Sequence, residues 1–189
     1  MSLRLPLQLH PDSRCDALSG IVVELVRLSP RRILVGYILS GNLRHIDLPR
    51  ENLHPQRRDE LWRHTCFEAF VRAEGDEAYY EFNLAPSRDW AAYRFDGYRR
   101  GMTPAREVDA PHGDPTVHAE PRPPGFRATL ELERAASLPI DRPWRIGLSA
   151  VIEERNGRIS YWALAHPPGK PDFHHPDCFQ LELPAARPA

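Results

Sequence analysis

Lysine is nearly missing from this chain: Lys170 is the only one, and arginine supplies the rest of the positive side-chain charge. Arginine can clamp carboxylates and other anions bidentately. Spread along a whole sequence, however, it reads as the coding bias of a GC-rich genome. Neither sign of charge dominates, and the formal net charge is −1. That leaves no basic footprint for nucleic acid. Cysteine is scarce and odd in number. Cys15, Cys66 and Cys178 match no C-x-x-C and no zinc spacing, so free thiols in a reducing cytosol are expected. No apolar run approaches the roughly 20 residues of a membrane span. The opening M-S-L-R-L-P-L-Q-L-H-P lacks the apolar centre of a secretory signal. The expectation is a cytoplasmic protein that does not touch membranes. Also missing are a P-loop, a dinucleotide fingerprint, a nucleophile elbow and an H-E-x-x-H helix. No segment has a helical period that rivals the strands.

What the chain does have is alternation. Its 189 residues, 41% of them hydrophobic, favour one domain with a core that needs no disulfide or metal. A first edge strand is expected over Leu3–Leu9, limited by Pro6. Further strands follow at Ile21–Arg27, Arg32–Ser40 and Leu43–Leu48. The polar stretch 49–61 reads as a loop with one helical turn near Pro55–Leu61, delivering Trp62. Thr65–Arg72, Ala78–Leu84 and Asp89–Asp96 then alternate as a meander. Residues 97–125, with six prolines, form the longest irregular stretch, with one short strand expected at Thr116–Glu120. Phe126–Arg134 and Trp144–Glu154 alternate cleanly, Asn156-Gly157 signals a tight hairpin turn, and Ile159–Ala165 and Phe179–Leu183 complete the set. The spacing indicates an all-β, antiparallel β-sandwich with its core over about 20–184 and a frayed tail at 185–189.

Unusual residues concentrate between Trp62 and Met102. Period-two alternation assigns Phe67, Ala69, Val71, Tyr80, Phe82, Tyr93 and Phe95 to packing. It leaves Trp62, Glu68, Glu81, Asn83, Trp90 and Arg94 to share the opposite surface. An aromatic wall with convergent carboxylates, an amide and a guanidinium suits a small polar ligand. The alternative is a solvated sheet face with cross-strand ion pairs such as Glu81–Arg94. The shared site requires Glu68 and Arg94 on one sheet face. Two other groups carry weaker signals. His166, Asp172, His174 and His175 are metal-ligand types, but adjacent histidines diverge along a strand; histidines that cap a rigid loop are the plainer account, and no metal is expected. Glu68 and Glu81 could also serve as a general acid/base pair of the glycosidase kind.

The pattern W-x5-E-x-F at Trp62, Glu68 and Phe70, followed by Y-x-E-x-N at Tyr79, Glu81 and Asn83, resembles the DOMON-like superfamily. It is similar in particular to family 9 carbohydrate-binding modules and bacterial DOMON-like domains. W-x-x-Y-x-F at Trp90, Y-R-x-G-M at Tyr98–Met102 and H-P-P-G-K-P-D-F-H-H at His166–His175 carry the same resemblance. It implies a single β-sandwich domain that binds a sugar without catalysis. Two tryptophans would enclose the sugar, with a glutamate and an arginine on its hydroxyls. Trp62 and Glu68 match by position, Arg94 is a looser match for the arginine, and Trp162 is the candidate second tryptophan. Loops 97–125 and 166–178 would border the pocket. Other branches of the superfamily bind haem through a methionine and a histidine or lysine. Met102 is the ligand that this alternative requires, although such a residue more often plugs the edge of a pocket.

Overall fold

A computed structural model describes residues 2–115 and 124–186. In chain order its strands are β1 (Ser2–Pro6), β2 (Gln8–Leu9), β3 (Leu18–Ser29), β4 (Arg32–Gly41), β5 (Cys66–Ala73), β6 (Tyr79–Leu84), β7 (Trp90–Phe95), β8 (Thr103–Pro104), β9 (His112–Pro115), β10 (Gly125–Glu131), β11 (Trp144–Glu153), β12 (Ile159–Ala163) and β13 (Leu181–Leu183). They form two antiparallel sheets packed as a sandwich. The smaller has the order β1-β3-β4-β10-β9. The larger runs β2-β12-β11-β5-β6-β7-β8, with β13 pairing the remaining half of β11. Pro6 ends the edge strand β1, where its missing N–H costs no ladder bond; the chain then crosses at Leu7 to place β2 in the other sheet.

The core follows from the alternation. Ile21, Val23, Leu25, Val35 and Tyr37 of the small sheet meet Phe67, Ala69, Phe82, Ile146 and Leu148 of the large one. Aromatic rings bridge the layers: Phe67 lies 4.8 Å from Tyr37 and 5.3 Å from Phe126, centroid to centroid. Such pairs add about 0.5–1.5 kcal/mol beyond their buried area. The Tyr37 hydroxyl donates to the Glu68 carbonyl at 2.6 Å, which pins β5 from the core side beneath the residue that faces the other way. Asn156-Gly157 makes the expected hairpin turn, with Gly157 at φ +82°, a region that favours glycine.

Four local expectations need correction. Leu43–Leu48 is not a strand: Leu43–His45 is a 3-10 turn capped by the Asn42 side chain, and Ile46 makes an isolated bridge to Glu154. The helical turn placed near Pro55–Leu61 lies later, at Leu61–Arg63, entered through Glu60 in the left-handed region. The stretch 97–125 is less irregular than its prolines suggested, since β8 and β9 both fall within it. The strand expected at 116–120 lies outside the described residues. The fourth correction concerns β7. Its pairing with β6 sets Leu84 opposite Trp90, Phe82 opposite Ala92 and Tyr80 opposite Arg94. Trp90, Ala92 and Arg94 therefore lie on the core-facing side, and Ala91, Tyr93 and Phe95 lie on the outer side with Glu81 and Asn83.

The outer side of the large sheet is not a bare polar face. Phe70, Tyr79, Tyr93, Phe95, Val151 and Ala163 form a second buried cluster there, and Phe173 and Phe179 from the β12–β13 loop pack onto it. That loop leaves the sheet after Ala163 and returns at Leu181, crossing directly over β11. A Cβ added at Gly147 would stand 3.1 Å from the Cys178 carbonyl oxygen, so the crossing is close and a side chain there would need a shift of the loop.

Candidate functional site

Five strands bring their outer-facing residues to one place. Glu68 of β5 is cross-strand to Asn83 of β6 and to Ser149 of β11. Glu81 of β6 is opposite Phe70 and Tyr93, and Val151 of β11 is opposite Tyr161 of β12. Three irregular segments stand around them: the 3-10 turn that carries Trp62, the β7–β8 turn with Arg99 and Met102, and the β12–β13 loop with Pro171, Phe173 and His174. Together they enclose a cavity of about 370 Å³. This is within the ordinary range for small-molecule sites.

The floor is acidic. Glu68 is 3% exposed and Glu81 5%. Asn83 Nδ2 donates to Glu81 Oε1 at 2.7 Å and holds that carboxyl in place. Among the described residues no donor reaches hydrogen-bond geometry with the Glu68 carboxylate. Ser149, directly across the strand pair, is close enough to lower the acid as a hydrogen-bonding neighbour does, yet its Oγ falls short of hydrogen-bond geometry and has no other partner among the described residues. Burial, and then the charge of Glu81, push the Glu68 carboxyl well above its ordinary value. Burial likewise raises Glu81 to about 7, with Asn83 and Arg99 partly offsetting it.

The rim is aromatic and balanced in charge. Trp62 and Tyr161 are half-buried against the outer cluster, and Trp62 meets Tyr93 edge-on at 5.9 Å. Arg99 has φ +52°, a left-handed conformation that a bulky residue adopts only when its surroundings hold it. Its guanidinium is held by Asp172, at 3.2 Å from Nε and 2.7 Å from Nη2, and the Tyr98 hydroxyl donates to the other Asp172 oxygen. The one arginine at the cavity therefore already has a carboxylate partner. His174 Nδ1 is 2.7 Å from the Tyr79 hydroxyl, while its Nε2 stands 3.9 Å from Glu81 Oε2. Burial lowers the imidazole to about 4, so it is neutral at physiological pH and forms no ion pair with Glu81.

Of the residues singled out from sequence, Trp62, Glu68 and Glu81 line this cavity, and Asn83 lies under it as the support of Glu81. Trp90, Arg94 and Trp162 are elsewhere. Trp90 packs on the main core with the Arg57 guanidinium 4.8 Å from its ring. Arg94 pairs with Asp96 at 3.0 Å on the same side as Tyr80. Trp162 is 5% exposed in the sandwich interior, its indole N–H donating to Ser160 Oγ. The arrangement that required Glu68 and Arg94 on one face is thus not formed. Arg99 and Tyr161 occupy the corresponding positions around the cavity. Sequence reading missed both, although Arg99 sits inside the quoted Y-R-x-G-M motif and Tyr161 is adjacent to Trp162.

The metal-type residues do not converge. His166 Nε2 is 2.8 Å from the Gln8 carbonyl, Asp172 is held by Tyr98 and Arg99, His174 faces the cavity, and His175 caps the turn at Asp177. Among the described residues no group of three or more histidine, cysteine or acidic side chains is gathered for a metal. Haem also fits poorly. Met102 lines the cavity at 48% exposure, but the available histidine, His174, has Nδ1 bonded to Tyr79, and the floor offers two carboxyls instead of an apolar slot. No described helix is long and apolar enough to cross a membrane.

No protein-family model matches the chain, and no curated protein matches it. Solved structures do. A Bacteroides uniformis protein, provisionally described as carbohydrate-binding, superposes with a TM-score of 0.62 at 15% identity, over 93% of this chain and 83% of that one. This likeness establishes the shared sandwich fold. A family 9 carbohydrate-binding module from Caldicellulosiruptor kristjanssonii, solved with cellotriose, superposes with a TM-score of 0.44 at 12% identity, over 86% of this chain and 74% of that one.

Proposed function

We propose that the chain is a non-catalytic binding domain for a small polar ligand, a sugar or sugar derivative, held in the outer-face cavity. The observation that carries this reading is the acidic floor. Glu68 and Glu81 are buried at the base of an aromatic-walled cavity, and Glu68 has no hydrogen-bond partner among the described residues. Ser149 Oγ, across the ladder from Glu68, is buried without a hydrogen-bond partner, and a buried polar group left unpaired costs about 1–3 kcal/mol. A ligand that donates hydroxyl protons recovers that cost on binding. In this reading Trp62 and Tyr161 pack on the sugar ring's C–H faces, Glu68 and Glu81 accept from its hydroxyls, Arg99 donates to it, and Asn83 orients Glu81. Trp90, Arg94 and Trp162 serve the fold. The provisional description of the Bacteroides protein of the same fold supports this ligand class.

Two carboxyls with raised proton affinity on one cavity also equip a glycoside hydrolase. Product release from aryl glycosides separates the two readings. Turnover that vanishes in Glu68→Gln would assign catalysis; binding without turnover keeps the domain non-catalytic. The binding reading itself is tested by tryptophan fluorescence during titration with mono- and oligosaccharides. Trp62 borders the cavity, whereas Trp144 and Trp162 are buried in the core. A saturable emission change that disappears in Trp62→Phe is expected. An unchanged spectrum across the panel counts against the reading.

A further inference from the structure

Resting on the sugar-binding reading above, we infer that the preferred ligand carries a protonated amine, as an amino sugar does, and that the Glu68–Glu81 pair is the ammonium subsite.

The charges that decide this surround a single cavity. Besides the phenol of Tyr161, four ionisable side chains line it: Glu68, Glu81, Arg99 and His174. Arg99 is neutralised by Asp172, which contacts the same guanidinium through Nε and Nη2 and is itself locked by Tyr98. His174 shares its Nδ1 with the Tyr79 hydroxyl and is uncharged. Arg99 offsets the two acids only in part, and no other cation among the described residues lines the cavity. Both acids are more than nine-tenths buried; Glu81 accepts from the neutral Asn83 amide, and the described donor nearest Glu68 is the neutral Ser149 hydroxyl. Ser149 Oγ, opposite Glu68 in the ladder, is also buried and unpartnered. A neutral polyol would satisfy the lone pairs but leave the two acids protonated, since nothing in it offsets the cost of their charge in a desolvated site.

An ammonium does more. It carries three donors in a compact head, and its bonds to carboxylates are charge-assisted, about twice as strong as neutral ones. The walls suit a cation too. Trp62, Tyr161, Phe95 and Phe173 border the same space, and aromatic faces attract cations by about 0.5–2 kcal/mol, most strongly where water is excluded. The proton balance is explicit. Below about pH 7 the free pair holds its protons because burial penalises its charge. An arriving ammonium favours the ionised acids, so binding expels a proton from the pair to solvent. A neutral sugar expels none.

The test is calorimetric titration of the full chain with glucosamine, glucose and N-acetylglucosamine at pH 6.5, in two buffers of different ionisation enthalpy. The expected result is glucosamine binding at least about tenfold tighter than the other two. It should release a substantial fraction of a proton per site, and its preference should fall toward unity in Glu81→Gln. Glucose or N-acetylglucosamine binding as tightly as glucosamine, or glucosamine binding without proton release, overturns the ammonium subsite while leaving a sugar site in place. Failure of all three to bind overturns both.

Discussion

Glu81 is the residue whose protonation the fold changes most usefully. Its carboxyl is raised from 4.5 to about 7 by burial. The folded chain therefore keeps a proton that the unfolded chain has lost. The stability this contributes is complete below about pH 4.5 and is lost as pH rises through 7. His174 acts in the opposite direction. Its imidazole falls from 6.5 to about 4 through burial, so its contribution is present above pH 6.5 and lost as pH falls toward 4. The two windows overlap, and the wild-type pH profile alone does not separate them. Glu81→Gln does, because it removes only the acid and retains an oxygen to accept from Asn83. Its melting temperature should sit near wild type at pH 5 and exceed it at pH 8. The gain expected is on the order of 2 kcal/mol, or several degrees for a chain of this size. Parallel melting curves for the two proteins from pH 5 to 8 would show that Glu81 is not held protonated by burial.

Strand faces decide which residues belong to the site, and here the sequence was only partly legible. In β5, β6, β10 and β11 one set of alternating residues is plainly apolar, and the core face follows from period two alone. In β7 and β12 it does not. The β12–β13 loop and the Trp62 turn cover the outer face, so both faces are apolar: Tyr93 and Phe95 point outward, Trp90 and Ala92 inward. Parity is then set by the connection. Between Leu84 and Trp90 the chain makes a turn closed by Ala85 and Asp89, with Arg88 at φ +74°. A left-handed arginine carries no sequence signal, so the face assignment of Trp90 and Arg94 was open to inversion. The same ambiguity exchanged Trp162 for Tyr161. The site's acids were readable because a carboxylate on a central strand stands out; Arg99 was not, because it lies in a turn whose docking on Asp172 is tertiary.

Two variants test this element-level account. Arg94→Ala should leave ligand affinity within about twofold of wild type, since its guanidinium pairs with Asp96 on the far side of β7; a loss of tenfold or more would return Arg94 to the site. Gly147→Ala sets a methyl against the Cys178 carbonyl. Overpacking of that kind costs about 1–3 kcal/mol, and the cost should fall on the loop. Amide hydrogen exchange at residues 172–180 should speed up while the strands of the small sheet stay protected. Equal acceleration in both sheets would mean that the loop is not a separate cover.

At the scale of the whole molecule, the sandwich provides rigidity and the loops enclose the candidate site. One layer of core joins the two sheets, and Tyr37 reaches through it to fix the backbone of Glu68. The large sheet then presents a second face that three irregular segments convert into a cavity. The fold is shared with the Bacteroides protein at 15% identity. The net charge of −1 gives the molecule no long-range attraction for any polyanion. The proposed ligand recognition lies in the cavity. Isothermal titration of a glycan panel against wild type and Trp62→Ala is the most direct measurement of that claim. The account predicts saturable binding of at least one sugar, weakened tenfold or more by Trp62→Ala with the melting temperature little changed. No binding across the panel, or binding that Trp62→Ala leaves untouched, would contradict it.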